Sequence, residues 1–106
     1  NKRPGRERVP LQPSPFDLHD RMVQELYEKK SLPALAYLIE AGRELEFTYR
    51  GREYFLSRDT QVAYVSLCQG ERETGYGSIP LLLEQASLDG VPFRDAWPEV
   101  VLGTLF

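Results

Sequence analysis

The apolar residues of this chain change their period along its length, and each change marks an element. From Ser14 to Lys30 they recur every three to four positions. Leu18, Met22 and Leu26 lie on one line with Phe16, Val23 and Tyr27 beside it, which predicts an amphipathic helix. Ser14 caps it, Pro15 suits the first turn, where a missing N–H costs nothing, and Asp17 stands where a capping box closes. Lys29 and Lys30 put positive charge at the helix C-terminus, as the macrodipole favours. Ser31-Leu32-Pro33 repeats this opening. Leu35, Leu38 and Ile39 then form the stripe of a shorter helix over 33–41, and Gly42 supplies the residue after its cap.

From Arg43 the period becomes two. Leu45, Phe47 and Tyr49 alternate with Glu44, Glu46 and Thr48, the pattern of a half-buried strand. Arg50-Gly51 turns the chain into a second strand through Tyr54, Phe55 and Leu56. A two-residue loop sets Phe47 opposite Tyr54 and Leu45 opposite Leu56 but forces Arg50 to positive φ. A three-residue loop with Gly51 alone in the left-handed region avoids that cost and is the expected form. Residues 57–60 turn again, and 61–68, with Val62, Tyr64, Val65 and Leu67, complete a three-stranded antiparallel meander. Residues 69–77 hold three glycines among Glu71, Arg72 and Glu73 and read as a loop. Ser78-Ile79-Pro80 opens a short helix whose Ile79, Leu82, Leu83 and Ala86 cover the sheet. Asp89-Gly90 turns, 93–97 makes one helical turn stopped by Pro98, and 99–106 is a last strand. That strand carries apolar residues on both faces (Val100, Leu102 and Phe106; Val101 and Leu105), which predicts burial on both sides.

The fold class is therefore α+β: N-terminal helices, a three-stranded antiparallel meander, a short covering helix and a C-terminal strand. The chain of 106 residues suits one domain, made of a helical segment 14–42 and an α+β body 43–106. Residues 1–13 stand apart as a basic, proline-rich arm. Lys2, Arg3, Arg6 and Arg8 face only Glu7, and Pro4, Pro10 and Pro13 disfavour regular structure.

Charge sharpens this division. The net charge of −3 combines a balance of +2 over residues 1–30 with −5 over residues 31–106. An acidic body does not wrap a nucleic-acid backbone, because each phosphate contact wants a cation. The single Cys68 forms no internal disulfide, which points to a reducing compartment and so to the cytoplasm. No apolar run reaches the roughly 18 residues of a spanning helix, so no membrane is expected. No signal peptide is visible, and the opening on Asn1 leaves upstream residues open.

Little chemistry is concentrated anywhere. One His and one Cys, far apart in sequence, make no zinc site. Glu44 and Glu46 share a strand face that Glu53 also approaches; a solvated face is the plain reading, a weak cation or acid/base site the sharper one. His19 lies next to Asp20 on a helix with no local nucleophile, and Cys68 ends an apolar strand with no cation near it to stabilise a thiolate. Gly70 to Gly75 has the glycine spacing of a phosphate loop, but Tyr76 replaces the lysine and two glutamates repel phosphate. The open N–H groups after Ser78 are those of any helix start.

Ala41-Gly42-Arg43-Glu44-Leu45-Glu46-Phe47, the Tyr49-Arg50-Gly51 turn with Tyr54, and Leu88-Asp89-Gly90 through Ala96-Trp97-Pro98-Glu99-Val100 together resemble small uncharacterised α+β proteins of Gram-positive bacteria and their mobile elements. The resemblance covers residues 41–106. It rests on turns and core positions, so it implies a fold and no activity.

With polar groups too few and too scattered for a reaction centre, the expected role is contact: a non-enzymatic protein-interaction protein without cofactor or metal, whose partner is another protein or a second copy. Its candidate residues are Lys2, Arg3, Arg6 and Arg8 of the arm and Tyr49, Arg50, Arg52 and Tyr54 around the first hairpin, since Arg and Tyr are enriched at interface hot spots. The plainer reading of the hairpin is that its tyrosines pack beneath a helix and its arginines are solvated. The most specific expectation is a phage or mobile-element inhibitor that binds a host defence protein. The alternative is a nucleic-acid-associated accessory protein whose basic arm alone touches phosphate.

Overall fold

The computed structural model describes residues 15–59, 61 and 64–106, with the side chains of residues 15 and 16 left aside. Helix α1 spans Pro15–Lys29 and helix α2 spans Leu32–Glu40. They follow the apolar stripes: Leu26, Ala34, Leu35, Leu38 and Ile39 are all fully buried. Ser31 caps α2 by accepting from the Ala34 amide at 3.2 Å. At the other end, the Gly42 amide donates to Ile39 and that of Arg43 to Leu38, a Schellman closure that needs Gly42 at φ 95°.

Lys30 ends α1 in the left-handed region, at φ 51°, where glycine is usual. Its side chain offsets the strain. The ammonium donates to the carbonyls of Pro98 and Val100 and lies 5.7 Å from the centre of the Trp97 ring. The Trp97 indole N–H returns a bond to the Lys30 carbonyl at 2.7 Å. Burial holds the Lys30 pKa below its ordinary value.

Strands β1 (Leu45–Tyr49), β2 (Arg52–Asp59), β3 (Tyr64–Gln69) and β4 (Arg72–Tyr76) run as an antiparallel meander, and β7 (Val101–Leu105) pairs antiparallel with β1, in the order β4-β3-β2-β1-β7. The sheet thus has five strands where sequence predicts a three-stranded meander plus a last strand. The added strand is β4, inside the expected loop 69–77: Gly70, at φ 62°, and Glu71 make a tight turn, and Arg72 pairs back onto Gln69. The first hairpin also differs from expectation. Tyr49 pairs with Arg52, so the loop has two residues, with Arg50 at φ 53° and Gly51 at φ 77°. Arg50 accepts that conformation because its guanidinium stacks over the Tyr49 ring at 5.0 Å and reaches Asp89 at 4.0 Å. The expected pairs Phe47–Tyr54 and Leu45–Leu56 are present.

One face of the sheet is packed. Leu45, Phe47, Tyr49, Tyr54, Leu56, Val65 and Leu67 meet α2, α3 (Ile79–Gln85) and α4 (Phe93–Ala96) in a single core. Between α3 and α4 lies a two-stranded hairpin, β5 (Ser87–Leu88) with β6 (Val91–Pro92), turned by Asp89 and Gly90. Phe93 stacks on Trp97 at 5.5 Å, and both meet Phe47 edge-on.

Strand β7 departs from the burial expected of it. It is an edge strand, with Val101 65% exposed and the adjoining Phe106 56% exposed. Its outer side is instead lined by α1. Near the start of the helix Arg43 bridges to it, donating from Nη1 to His19 Nε2 and from Nε to the Phe106 carbonyl, each at 2.6 Å. Farther along, the Tyr27 hydroxyl donates to the Gly103 carbonyl at 2.6 Å, and Lys30 reaches Pro98 and Val100. From His19 to Lys30 a helix rises about 16 Å, close to the roughly 20 Å that strand backbone covers from Val100 to Phe106.

Candidate interaction surface

The other face of the sheet is left uncovered by α2, α3 and α4, and its residues follow from strand alternation. Because Leu45 and Phe47 point into the core, Glu46 and Thr48 point away, and the pairing carries that parity across the sheet. Glu46 stands opposite Phe55, Phe55 opposite Cys68, and Cys68 opposite Glu73. These four form one row across β1, β2, β3 and β4. A parallel row joins Val101, Thr48 and Glu53, and another joins Ser57, Ser66 and Gly75. A shallow depression of about 330 Å³ lies over the first two rows, bordered by Glu46, Glu53, Phe55, Cys68, Val101 and Gly103.

The depression is apolar at its centre. Beside it, the Phe106 ring sits 6.0 Å from Phe55, and the ring of Tyr64, 36% exposed, lies next to Gly75. Gly103 is required by the fold: a Cβ there lies 2.8 Å from the Glu46 carbonyl oxygen, where β1 and β7 shift register. Around this centre the charge is of one sign. All four strand carboxylates, Glu46, Glu53, Asp59 and Glu73, have the outward parity, while the three strand arginines, Arg52, Arg58 and Arg72, have the inward one. Ser66 holds Glu73 in place by donating to its carboxylate at 2.6 Å. Cys68 lies between Phe55 and Glu73, and burial, then the Glu73 charge, push its thiol pKa up.

The residues singled out in the sequence fall in different places. Tyr49 and Tyr54 are core residues, 2% and 4% exposed, so neither offers its ring to a partner. Arg50 and Arg52 are exposed and lean on Asp89 at 4.0 and 3.6 Å. Lys2, Arg3, Arg6 and Arg8 lie outside the described residues. Of the three glutamates, Glu46 and Glu53 border the depression, while Glu44 pairs through its backbone with Phe106. Among the described residues no group of three His, Cys, Asp or Glu is placed to hold a metal ion. His19 accepts from Arg43 at Nε2, so that lone pair is engaged and the ring offers no free base there. Sequence reasoning missed Phe55, Val101 and Phe106 as surface residues because each belongs to an apolar run that reads as core.

On the packed side a larger polar groove, about 950 Å³, runs between the β3–β4 ribbon and the β5–β6 turn, with Arg52, Arg72, Thr74, Tyr76 and Asp89 on its walls. Arginines and carboxylates alternate there, so it carries no strong charge of either sign. No described helix is long and apolar enough to cross a membrane. Comparison with known protein families, curated proteins and solved structures finds no match to the chain.

Proposed function

We propose that this protein acts by binding another protein, without chemistry of its own, and that the uncovered face of its sheet is the contact surface. The observation that carries the reading is the pair of exposed apolar side chains on that face, Val101 at the start of β7 and Phe106 just past its end, the latter against the Phe55 ring. A folded domain gains by burying such side chains; covering about 100 Å² of apolar surface is worth roughly 2–3 kcal/mol. Here the helices that do so on the opposite face have no counterpart among the described residues. Apolar anchors inside a polar rim are the usual anatomy of a protein contact.

In its narrower form the reading is of an inhibitor, carried by a phage or mobile element and acting in the cytoplasm, that covers the nucleic-acid-binding surface of a host defence protein. The strand carboxylates gathered on this face support this form, since several carboxylates on one surface offer a cationic groove what a phosphate backbone offers it.

A photo-crosslinking residue placed at Val101 tests the reading, with the same residue at the exposed Glu84 of α3 as its control. In native cells position 101 is expected to yield a discrete protein adduct and position 84 none, and V101D is expected to abolish capture of that protein. Adducts from 84 alone, or capture unchanged in V101D, overturn it.

A further inference from the structure

The segregation of strand charge says more about the partner than the apolar centre does. Strand alternation alone has no reason to send every strand carboxylate to one face and every strand arginine to the other. No described Lys or Arg forms an ion pair with Glu46, Glu53 or Glu73. The face therefore holds unneutralised like charges around a centre that gains from being covered. An acidic or neutral partner brings no cation to relieve this repulsion.

We infer that the segment received by this face is cationic and extended, with two Lys or Arg residues four positions apart and an apolar residue midway between them. This inference rests on the contact reading above. Glu46 and Glu73 close the row at its two ends, with Phe55 and Cys68 between them. Three inter-strand steps separate the two glutamates, about 14 Å at roughly 4.8 Å each. An extended chain covers the same distance in four residues, at about 3.4 Å each, and side chains at i, i+2 and i+4 fall on one side of it. A segment laid across the strands thus sets its first and last cations against Glu73 and Glu46 and its middle side chain over Phe55 and Cys68. A helix needs about nine residues for that span, and its side chains at such spacing do not keep to one line. The matching is with a strand. Crossing the strands at a steep angle is an orthogonal packing open to any uncovered sheet face. Ser66 sharpens the fit by fixing the Glu73 carboxylate before the partner arrives.

The probe is a fluorescein-labelled peptide containing Lys-Thr-Val-Thr-Lys, titrated into the full chain beside the same peptide with Glu in place of both Lys. Binding is followed by anisotropy and by amide shifts. The lysine peptide is expected to bind, to shift the amides of Glu46, Phe55, Cys68 and Glu73, and to weaken at least tenfold between 50 and 300 mM salt. E46K/E73K is expected to weaken it tenfold or more. E46Q/E73Q, which only removes charge, keeps the test open should the double reversal fail to fold. Equal binding of the glutamate peptide, or indifference to both double variants, overturns the inference. Binding that appears only after Lys2, Arg3, Arg6 and Arg8 are changed to Gln assigns the face to the chain's own first residues and also overturns it. Loss of the crosslinked cellular partner in V101D, with capture intact in E46K/E73K, sinks the charge inference alone. Capture intact in both sinks the contact reading as well.

Discussion

Cys68 illustrates how much a residue's chemistry depends on its row. Its thiol is held protonated by burial and by the Glu73 carboxylate opposite it, so it reacts slowly with alkylating agents at neutral pH. Removing that charge in E73Q lowers the thiol pKa and raises the thiolate fraction. Iodoacetamide labelling near pH 8 is therefore expected to be several-fold faster in E73Q than in the parent, and an equal rate refutes the electrostatic account. Tyr54 gives a second test at this scale. Its hydroxyl is buried with no partner in hydrogen-bonding geometry, and burial pushes its pKa up. An unpaired buried hydroxyl costs about 1–3 kcal/mol, so Y54F, which keeps the ring stacked on Phe47, is expected to leave stability unchanged or raise it by about 1 kcal/mol in urea unfolding. A loss of 2 kcal/mol in Y54F shows that the hydroxyl is bonded.

The elements differ in how far the sequence announces them. Helices α1, α2 and α3 are legible because each joins an apolar stripe to a Ser-Pro or Ser-x-Pro opening, and Ser31 and Ser78 do cap as their positions predict. Strand β4 is not legible. As an edge strand it buries almost nothing, so Arg72-Glu73-Thr74-Gly75-Tyr76 needs no apolar alternation, and backbone pairing to β3 alone creates it. The two-residue hairpin escapes for a different reason: the left-handed Arg50 is tolerated through ring stacking and an Asp89 some forty residues away, a contact invisible in local sequence. Strand β7 misleads because apolar residues on both faces also suit an edge lined by a helix on one side and open on another. Its weak point is Gly103. G103A drives a Cβ to within 2.8 Å of a backbone oxygen, and thermal unfolding is expected to show a loss of about 1–3 kcal/mol. T104A, which adds no such clash, is the control.

At the scale of the molecule, one core ties the sheet to its helices. Phe47, Phe93 and Trp97 pack ring on ring across the boundary between β1 and α4, and Lys30 ties the end of α1 to the same indole. Trp97 is the sole tryptophan, so its fluorescence reports on this junction alone. Unfolding followed by Trp97 fluorescence and by far-UV circular dichroism is expected to give one coincident transition. Two separated transitions show that the β3–β4 ribbon unfolds by itself. W97A removes the shared ring and is expected to cost about 3–5 kcal/mol, enough to unfold a domain of ordinary stability.

Because Tyr27 of α1 and Arg43 engage the Gly103 and Phe106 carbonyls along the β7 side, the β4 side is, among the described residues, the more open border of the sheet. A ribbon that pairs through one margin alone accepts one neighbour and then has none left to give. Two molecules joined there form a closed, ten-stranded pair, and growth into a fibre by the same contact stops at that step.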